Sequence, residues 1–275
     1  MTRPPRFAGR HVLVTGSTGM AASAARAIGA EGGAVFAVSR TEAHLRTLSG
    51  EVRAAGGTCA SFVADLRQEE EVEAALAAFH DHFGRLDAVY GVAGISGRRF
   101  GDGPIHEATL DGWEAVMAAN ATSQFLVARA AIRRMLGQHP DAHGGRGTIL
   151  LMSSTLAAHP APAFFATHAY AASKGAIDGL TRALAAYYAP EGIRVNAIAP
   201  ALVATPMSRR AQDDPAIVAY LAEKQPLAGG PIDADAVTAT ALHLLSDDAR
   251  MVTGQIVAVD AGWGVSEPRP GADEA

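Results

Sequence analysis

The stretch that decides the fold is HVLVTGSTGMAAS, residues 11–23. An apolar, β-branched run ends at Thr15-Gly16, and an alanine-rich stretch begins a few residues later. Strand, glycine turn and helix in immediate succession aim the backbone N–H groups of the helix start at the turn, where a pyrophosphate can be held. Glycine suits the turn because a Cβ would block close approach. Glycine-rich turns after strands are common, so the rest of the chain has to decide between a ligand site and an ordinary connection.

Working outward, short apolar runs alternate with longer helical patterns, which predicts parallel strands joined by crossover helices. The strands are read at HVLVTG, AVFAVS, TCASFVAD, LDAVYGVAG, GTILLMSS, IRVNAIAP and QIVAVDAG, with helices near 20–31, 42–55, 68–83, 111–137, 168–188 and 233–246. The expected fold class is α/β: a doubly wound, seven-stranded parallel sheet of Rossmann-like kind, in one domain over 1–275. Ligands belong at the carboxyl ends of its strands. No repeat is evident, and GQHPDAHGGRG at 137–147 reads as a surface loop. Loose ends are expected near 1–7 and 266–275, and a variable lid near 207–230.

The chain has 275 residues, 49% of them hydrophobic, with a net charge of -5 and no block of like charge. Nucleic acid and anionic membrane are therefore unexpected partners. Cys59 is the single cysteine, so neither an internal disulfide nor a cysteine-bound zinc is available, and a reducing, cytoplasmic setting is expected. No signal-type start and no run of 18 apolar residues occurs. His139 and His143 have ligand-like spacing, but their Pro/Gly loop supplies no third ligand.

Chemistry is concentrated in YAASKGAIDGL, residues 170–180. Residues four apart share a helix face, so Tyr170 and Lys174 can address one ligand. A free phenol has a pKa of about 10; a neighbouring ammonium favours the phenolate and lowers it. The competing reading is a core aromatic and a solvated lysine. In chain order, Ser153-Ser154, Tyr170, Lys174, RVNAIAP (194–200) and DAG (260–262) resemble the short-chain dehydrogenase/reductase family, and the similarity runs from about residue 8 to 265.

The resemblance implies an oxidoreductase moving hydride between NAD(P)(H) and a ketone or secondary alcohol. Tyr170 would be the acid/base, Lys174 would lower its pKa and bond the nicotinamide ribose, and Ser154 (with Ser153 as fallback) would steady the substrate oxygen. Asn120 would hold a water linking the lysine to solvent; an Asn in an apolar helix also calls for a buried partner. The cofactor set implied is Gly16, Ser17, Thr18, Gly19, Met20, Ser39, Arg40, Asp65, Leu66, Ala93, Gly94, Tyr170, Lys174, Pro200, Val203 and Thr205. An acid at the end of the second strand accepts from a ribose hydroxyl, whereas a 2'-phosphate prefers arginine. Ser39-Arg40 stands there, so NADP(H) is favoured and NAD(H) remains open. No metal is expected.

Several places depart from the family pattern. Met20 and Ala22 replace two glycines, GVAG (91–94) replaces Asn-Asn-Ala-Gly and loses two amides that tie strands, and Ala201 replaces a glycine. These permit an alternative, a non-catalytic nucleotide-binding sensor or scaffold. Enoyl reductases usually space Tyr and Lys farther apart. His159 and His168 flank an insert of about three residues before Tyr170 and are read as loop residues. Arg98, Arg99, Arg209 and Arg210 fall near the expected mouth and are read as ordinary exposed arginines, with recognition of an acidic or phosphorylated substrate as the alternative. Cys59 and Met152 are read as core, as are Phe164 and Phe165, which could also wall a pocket. Alanine-rich helix faces suit a homo-oligomer, tetramer or dimer.

Overall fold

In the computed structural model, which describes residues 5–267, seven parallel strands lie in the order β3-β2-β1-β4-β5-β6-β7. They are β1 (His11–Thr15), β2 (Ala34–Ser39), β3 (Thr58–Val63), β4 (Ala88–Gly91), β5 (Gly147–Met152), β6 (Ile193–Pro200) and β7 (Ile256–Val259). Order reverses between β1 and β4, and the backbone parts there at the carboxyl ends, opening the crevice in which such sheets bind ligands.

Alternate residues of each strand face opposite sides, and both sides are buried. Val12 and Val14 join the core under α1 (Met20–Ala30), α2 (Glu42–Ala54) and α10 (Ala234–Leu245). Leu13, Val89 and Ile149 join the core under α3 (Glu69–Phe83), α5 (Ser123–Leu136) and α7 (His168–Tyr188). Cys59 and Met152 are core residues, as expected. Phe7, read as part of a loose lead, is 1% exposed and packs into the first core. The tail expected to fray lies, beyond Glu267, outside the described residues.

The single helix expected over 111–137 is three pieces: α4 (Leu110–Met117), a π-turn at Ala118–Thr122 and α5. The extra residue of a π-turn interrupts the regular ladder, a distortion common at functional sites, and it is centred on Asn120. Three short helices were not legible in the sequence: α6 (Pro162–Phe165), α8 (Arg209–Gln212) and α9 (Pro215–Lys224). The last two occupy the expected lid. Its base is fastened, with Ile217 and Leu221 at 0% exposure and the buried Gln225 amide bonded to Leu202 and Gly230.

Candidate active site

The end of β5 and the first turns of α7 place Ser154, Tyr170 and Lys174 together beside the π-turn. The Ser154 side chain lies close enough to the Tyr170 phenol to favour its ionised form and accepts the Leu156 N–H at 3.3 Å. Ser153 faces away, its hydroxyl donating to the Lys174 carbonyl at 3.5 Å. Of the two serines only Ser154 meets the phenol. Lys174 is 2% exposed; its Nζ donates to the Met152 carbonyl at 2.8 Å and lies 5.5 Å from the centre of the Tyr170 ring.

Electrostatics correct one expectation. The four-residue spacing predicts a lowered phenol pKa, but burial pushes Tyr170 up, and Ser154 opposes this only in part. The phenol therefore holds its proton near neutral pH and is poised to donate it. Burial also pulls Lys174 down to about 8, against the attraction of Asp178 one helical turn along.

Asn120 is fully buried, and its amide is fully committed. Oδ1 accepts from Ile95 N–H at 2.8 Å, while Nδ2 donates to the Ile95 carbonyl and the Ser173 hydroxyl, both at 3.1 Å. The side chain thus ties the loop after β4 to α7 instead of reaching Lys174. Gly94 makes room for this: a Cβ there would lie 2.8 Å from Asn120 Oδ1 and 3.9 Å from Lys174 Nζ.

Sequence reasoning missed Asp102. It is 6% exposed, and its carboxylate accepts the N–H groups of Ala169 at 3.0 Å and Tyr170 at 2.9 Å. These are orphan donors in the first turn of α7, capped by a residue 68 positions away. Nothing local in the sequence signals such a cap. Asp102→Ala leaves both N–H groups unpaired in the interior, so we expect it to cost about 1–3 kcal/mol of stability and to lower kcat roughly tenfold, because a 1 Å displacement of a reacting group is already costly. Denaturant titration and steady-state kinetics check this. An unchanged kcat, or a loss confined to cofactor affinity, counts against a positioning role.

The ends of β1 to β4 border a crevice of about 190 Å³. Gly16, Ser17 and Thr18 line it from the first turn, Ser39 and Arg40 from β2, Asp65 and Leu66 from the β3 end, and Ala93 and Gly94 from the β4 end. Gly16 has φ +100°, and Gly19 has φ +55° with space for a Cβ only 2.9 Å from Thr205 Cγ2. Gly19 therefore supplies the turn, and Met20, beginning α1, packs against the core. Neither Gly19 nor Met20 borders the crevice. Pro200 ends β6, Val203 is buried in a bridge to Ile232, and Thr205 starts the turn leading to α8.

At the adenosine end, the Ser17 and Ser39 hydroxyls are 2.9 Å apart and Arg40 is exposed with no carboxylate within 4.0 Å among the described residues. Asp65 is clasped by Arg67 at 2.5 Å, which holds its carboxyl below the usual range. Two hydroxyls, an exposed guanidinium and an acid already paired with Arg67 border this end of the crevice, and the residues fit a nicotinamide dinucleotide. The bracing lost with GVAG is replaced from elsewhere. Thr15 Oγ1 accepts the N–H groups of Val92 and Ala93. Gln124 lies against Gly91, 3.4 Å from where a Cβ would sit, and bonds the Met152 N–H and carbonyl.

The insert before Tyr170 forms α6 and a roof with the lid. Phe164 meets Tyr220 at a tilt with ring centres 5.1 Å apart, and Phe165 meets Trp263 at 5.9 Å; both are partly buried in one cluster with Ile217 and Leu221. The Trp263 indole donates to the exposed His159 carbonyl at 3.2 Å, and His168 Nδ1 is 2.8 Å from the Gly103 carbonyl. No group of three or more His, Cys, Asp or Glu could hold a metal among the described residues, and no described helix is long and apolar enough to cross a membrane.

Comparison with known proteins places residues 14–264 in the family described as Enoyl-(Acyl carrier protein) reductase. A glucose 1-dehydrogenase of Gluconobacter oxydans is 34% identical over 94% of this chain and 92% of its own length. Momilactone A synthase of Oryza sativa subsp. japonica is 36% identical over 92% and 89%. Among solved structures, a gluconate 5-dehydrogenase of Burkholderia cenocepacia in complex with NADP and tartrate superposes with a TM-score of 0.84, at 31% identity, over 94% of this chain and 97% of that one.

Proposed function

Because the chain belongs to the short-chain dehydrogenase/reductase family, and so transfers hydride between a nicotinamide dinucleotide and an alcohol or ketone, we propose that Tyr170 is its proton donor and acceptor and that NADP(H) is the preferred cofactor. The observation that carries the assignment is the buried Lys174 ammonium held by the Met152 carbonyl 5.5 Å from the centre of the Tyr170 ring, with Ser154 acting on the same phenol.

When bound, the cofactor supplies or takes up the hydride. In the reducing direction the Tyr170 O–H bond breaks as a new O–H bond forms on the substrate oxygen, and the Ser154 hydroxyl steadies that oxygen where negative charge develops. The phenolate left behind is stabilised by Lys174, held in place by the Met152 carbonyl. In the oxidising direction the same phenolate removes the proton from the alcohol. Asp102 and Asn120 fix the two ends of this arrangement through backbone groups of α7 and of the loop after β4.

The cofactor preference rests on Ser17, Ser39 and Arg40, and the NADP in the related gluconate 5-dehydrogenase structure supports it. Initial rates with both cofactors over a panel of ketones test the whole reading. Arg40→Ala should raise the NADPH dissociation constant about tenfold or more, the worth of a charge-assisted bond, and change NADH binding less than about twofold. Equal losses for both cofactors would reassign Arg40 to adenine stacking.

We further propose a homo-oligomer, preferentially a tetramer, working in the cytoplasm. Exposed Trp113, Phe125 and Tyr187 on α4, α5 and α7 offer apolar surface for close helix packing.

A further inference from the structure

Resting on the hydride-transfer reading above, we infer that Ser208 and Gln212 are positioning residues: they lock the turn that carries Thr205, so that the Thr205 hydroxyl is presented to the nicotinamide half of the cofactor.

The chain leaves β6 through Val203 and Thr205 and enters α8 by way of the short helix Pro206–Ser208. At the centre of this turn is the Ser208 hydroxyl, which donates to the Val203 carbonyl at 2.5 Å and accepts the Thr205 N–H at 3.1 Å. The Gln212 amide, at the end of α8, sends one N–H to that hydroxyl at 2.9 Å and the other to the Thr205 carbonyl at 2.8 Å. Both backbone polar groups of Thr205 are thereby held by side chains of the lid. That lid is itself anchored through the buried Ile217 and Leu221.

The Thr205 side chain is fixed as well. Its Cγ2 packs on the glycine turn after β1, where a Cβ on Gly19 would come within 2.9 Å of it. Thr205 and Ser208 form a reciprocal capping box, which turns the Thr205 oxygen toward the Ser208 N–H. A β-branched side chain with its backbone and methyl both held has little χ1 freedom left. The hydrogen of the Thr205 hydroxyl then has nowhere to go within the turn. Ser208 Oγ stands at a long 3.4 Å, and its two lone pairs already serve the Thr205 N–H and Gln212.

A spare donor calls for an acceptor on the ligand, and the nicotinamide half is the part that reaches it. Ser39 and Arg40 border the adenosine end from β2, whereas Tyr170 and Lys174 lie beside the end of β5, on the other side of β1 in the strand order. A dinucleotide joining the two crosses the Gly16–Gly19 turn on which Thr205 rests. The strong acceptor on its ring is the carboxamide oxygen.

The test measures equilibrium binding to the full chain of NADPH and NADH, each beside the fragment that lacks the nicotinamide ring, 2'-phospho-ADP-ribose and ADP-ribose. The ring preference is the fragment's dissociation constant divided by the cofactor's. Thr205→Val keeps the methyl on Gly19 and removes the spare hydrogen; it should cut the preference about fivefold, the worth of one hydrogen bond. Gln212→Leu and Ser208→Ala should each cut it about threefold and leave fragment affinity within about twofold. In the Thr205→Val background, adding Gln212→Leu should cost nothing further, because the clamp acts through that one hydroxyl. Ser208→Ala keeps the test open where Gln212→Leu does not fold. Equal losses for cofactor and fragment, a Gln212→Leu effect undiminished in the Thr205→Val background, or single variants indistinguishable from wild type each overturn the inference. A wild type that binds neither cofactor nor fragment removes the dehydrogenase reading itself; one that binds and turns over the cofactor while the variants keep their ring preference removes only this step.

Discussion

Tyr170→Phe is expected to reduce turnover in both directions by at least about 10³-fold, within the range that a positioned acid or base contributes, while NADPH binding changes by less than about twofold. The substitution deletes one oxygen and keeps the ring, so the packing under the Lys174 ammonium, 5.5 Å from the ring centre, survives. What disappears is the proton, together with the hydroxyl on which Ser154 acts. No second group stands ready: Asn120 is committed to Ile95 and Ser173, and Ser154 without the phenol has no acidic neighbour to replenish it. Stopped-flow reduction of a ketone panel beside equilibrium NADPH titration reads both quantities. Comparable activity in the variant would refute the assigned role, and a wild type that binds NADPH without any rate dependent on Tyr170 would match a sensor instead.

Lys174→Met should lower activity by about 10²-fold or more and, in the same protein, raise stability. A buried ammonium is costly, and here it shows as a pKa of about 8 against an ordinary 10.5. A base with a lowered folded pKa burdens the fold wherever it is protonated. That burden is complete below pH 8 and is relieved as pH rises from about 8 to 10.5, where the folded chain has shed the proton and the unfolded chain still binds it. The gain for Lys174→Met is thus largest near neutral pH, roughly up to 3 kcal/mol, and shrinks above pH 8. The Met152 carbonyl keeps a second donor, Gln124 Nε2 at 3.1 Å, so the substitution orphans no acceptor there. Thermal unfolding from pH 6 to 10 checks the sign; a variant less stable than the wild type at pH 7 would mean that Lys174 is held by attraction stronger than its burial cost. In the wild type, ketone reduction should fall as pH rises through about 8, because the ammonium that stabilises the phenolate is lost.

The two predictions place function and stability in opposition at one residue. Lys174 is retained in a position that weakens the fold, which is the pattern expected where a buried charge is kept for chemistry.

Local order determined much of this protein in advance. The alternation of apolar runs with helical patterns, read outward from residues 11–23, is enough to place a parallel sheet with helices on both faces, because each strand and helix declares its buried faces through residues two, three or four apart. The same periodicity puts Tyr170 and Lys174 on one face of α7, and the glycines at 16 and 19 mark the turn. Tertiary structure alone decided which serine meets the phenol, turned Asn120 toward Ile95 and Ser173, inserted the π-turn around it, and made burial the dominant influence on the pKa of Tyr170. It also brought Asp102 to the start of α7 from 68 residues away and laid Gln124 against Gly91. Each of these depends on contacts between elements distant in the chain, whose relative placement follows from how whole faces pack, and no local spacing of residues carries that information.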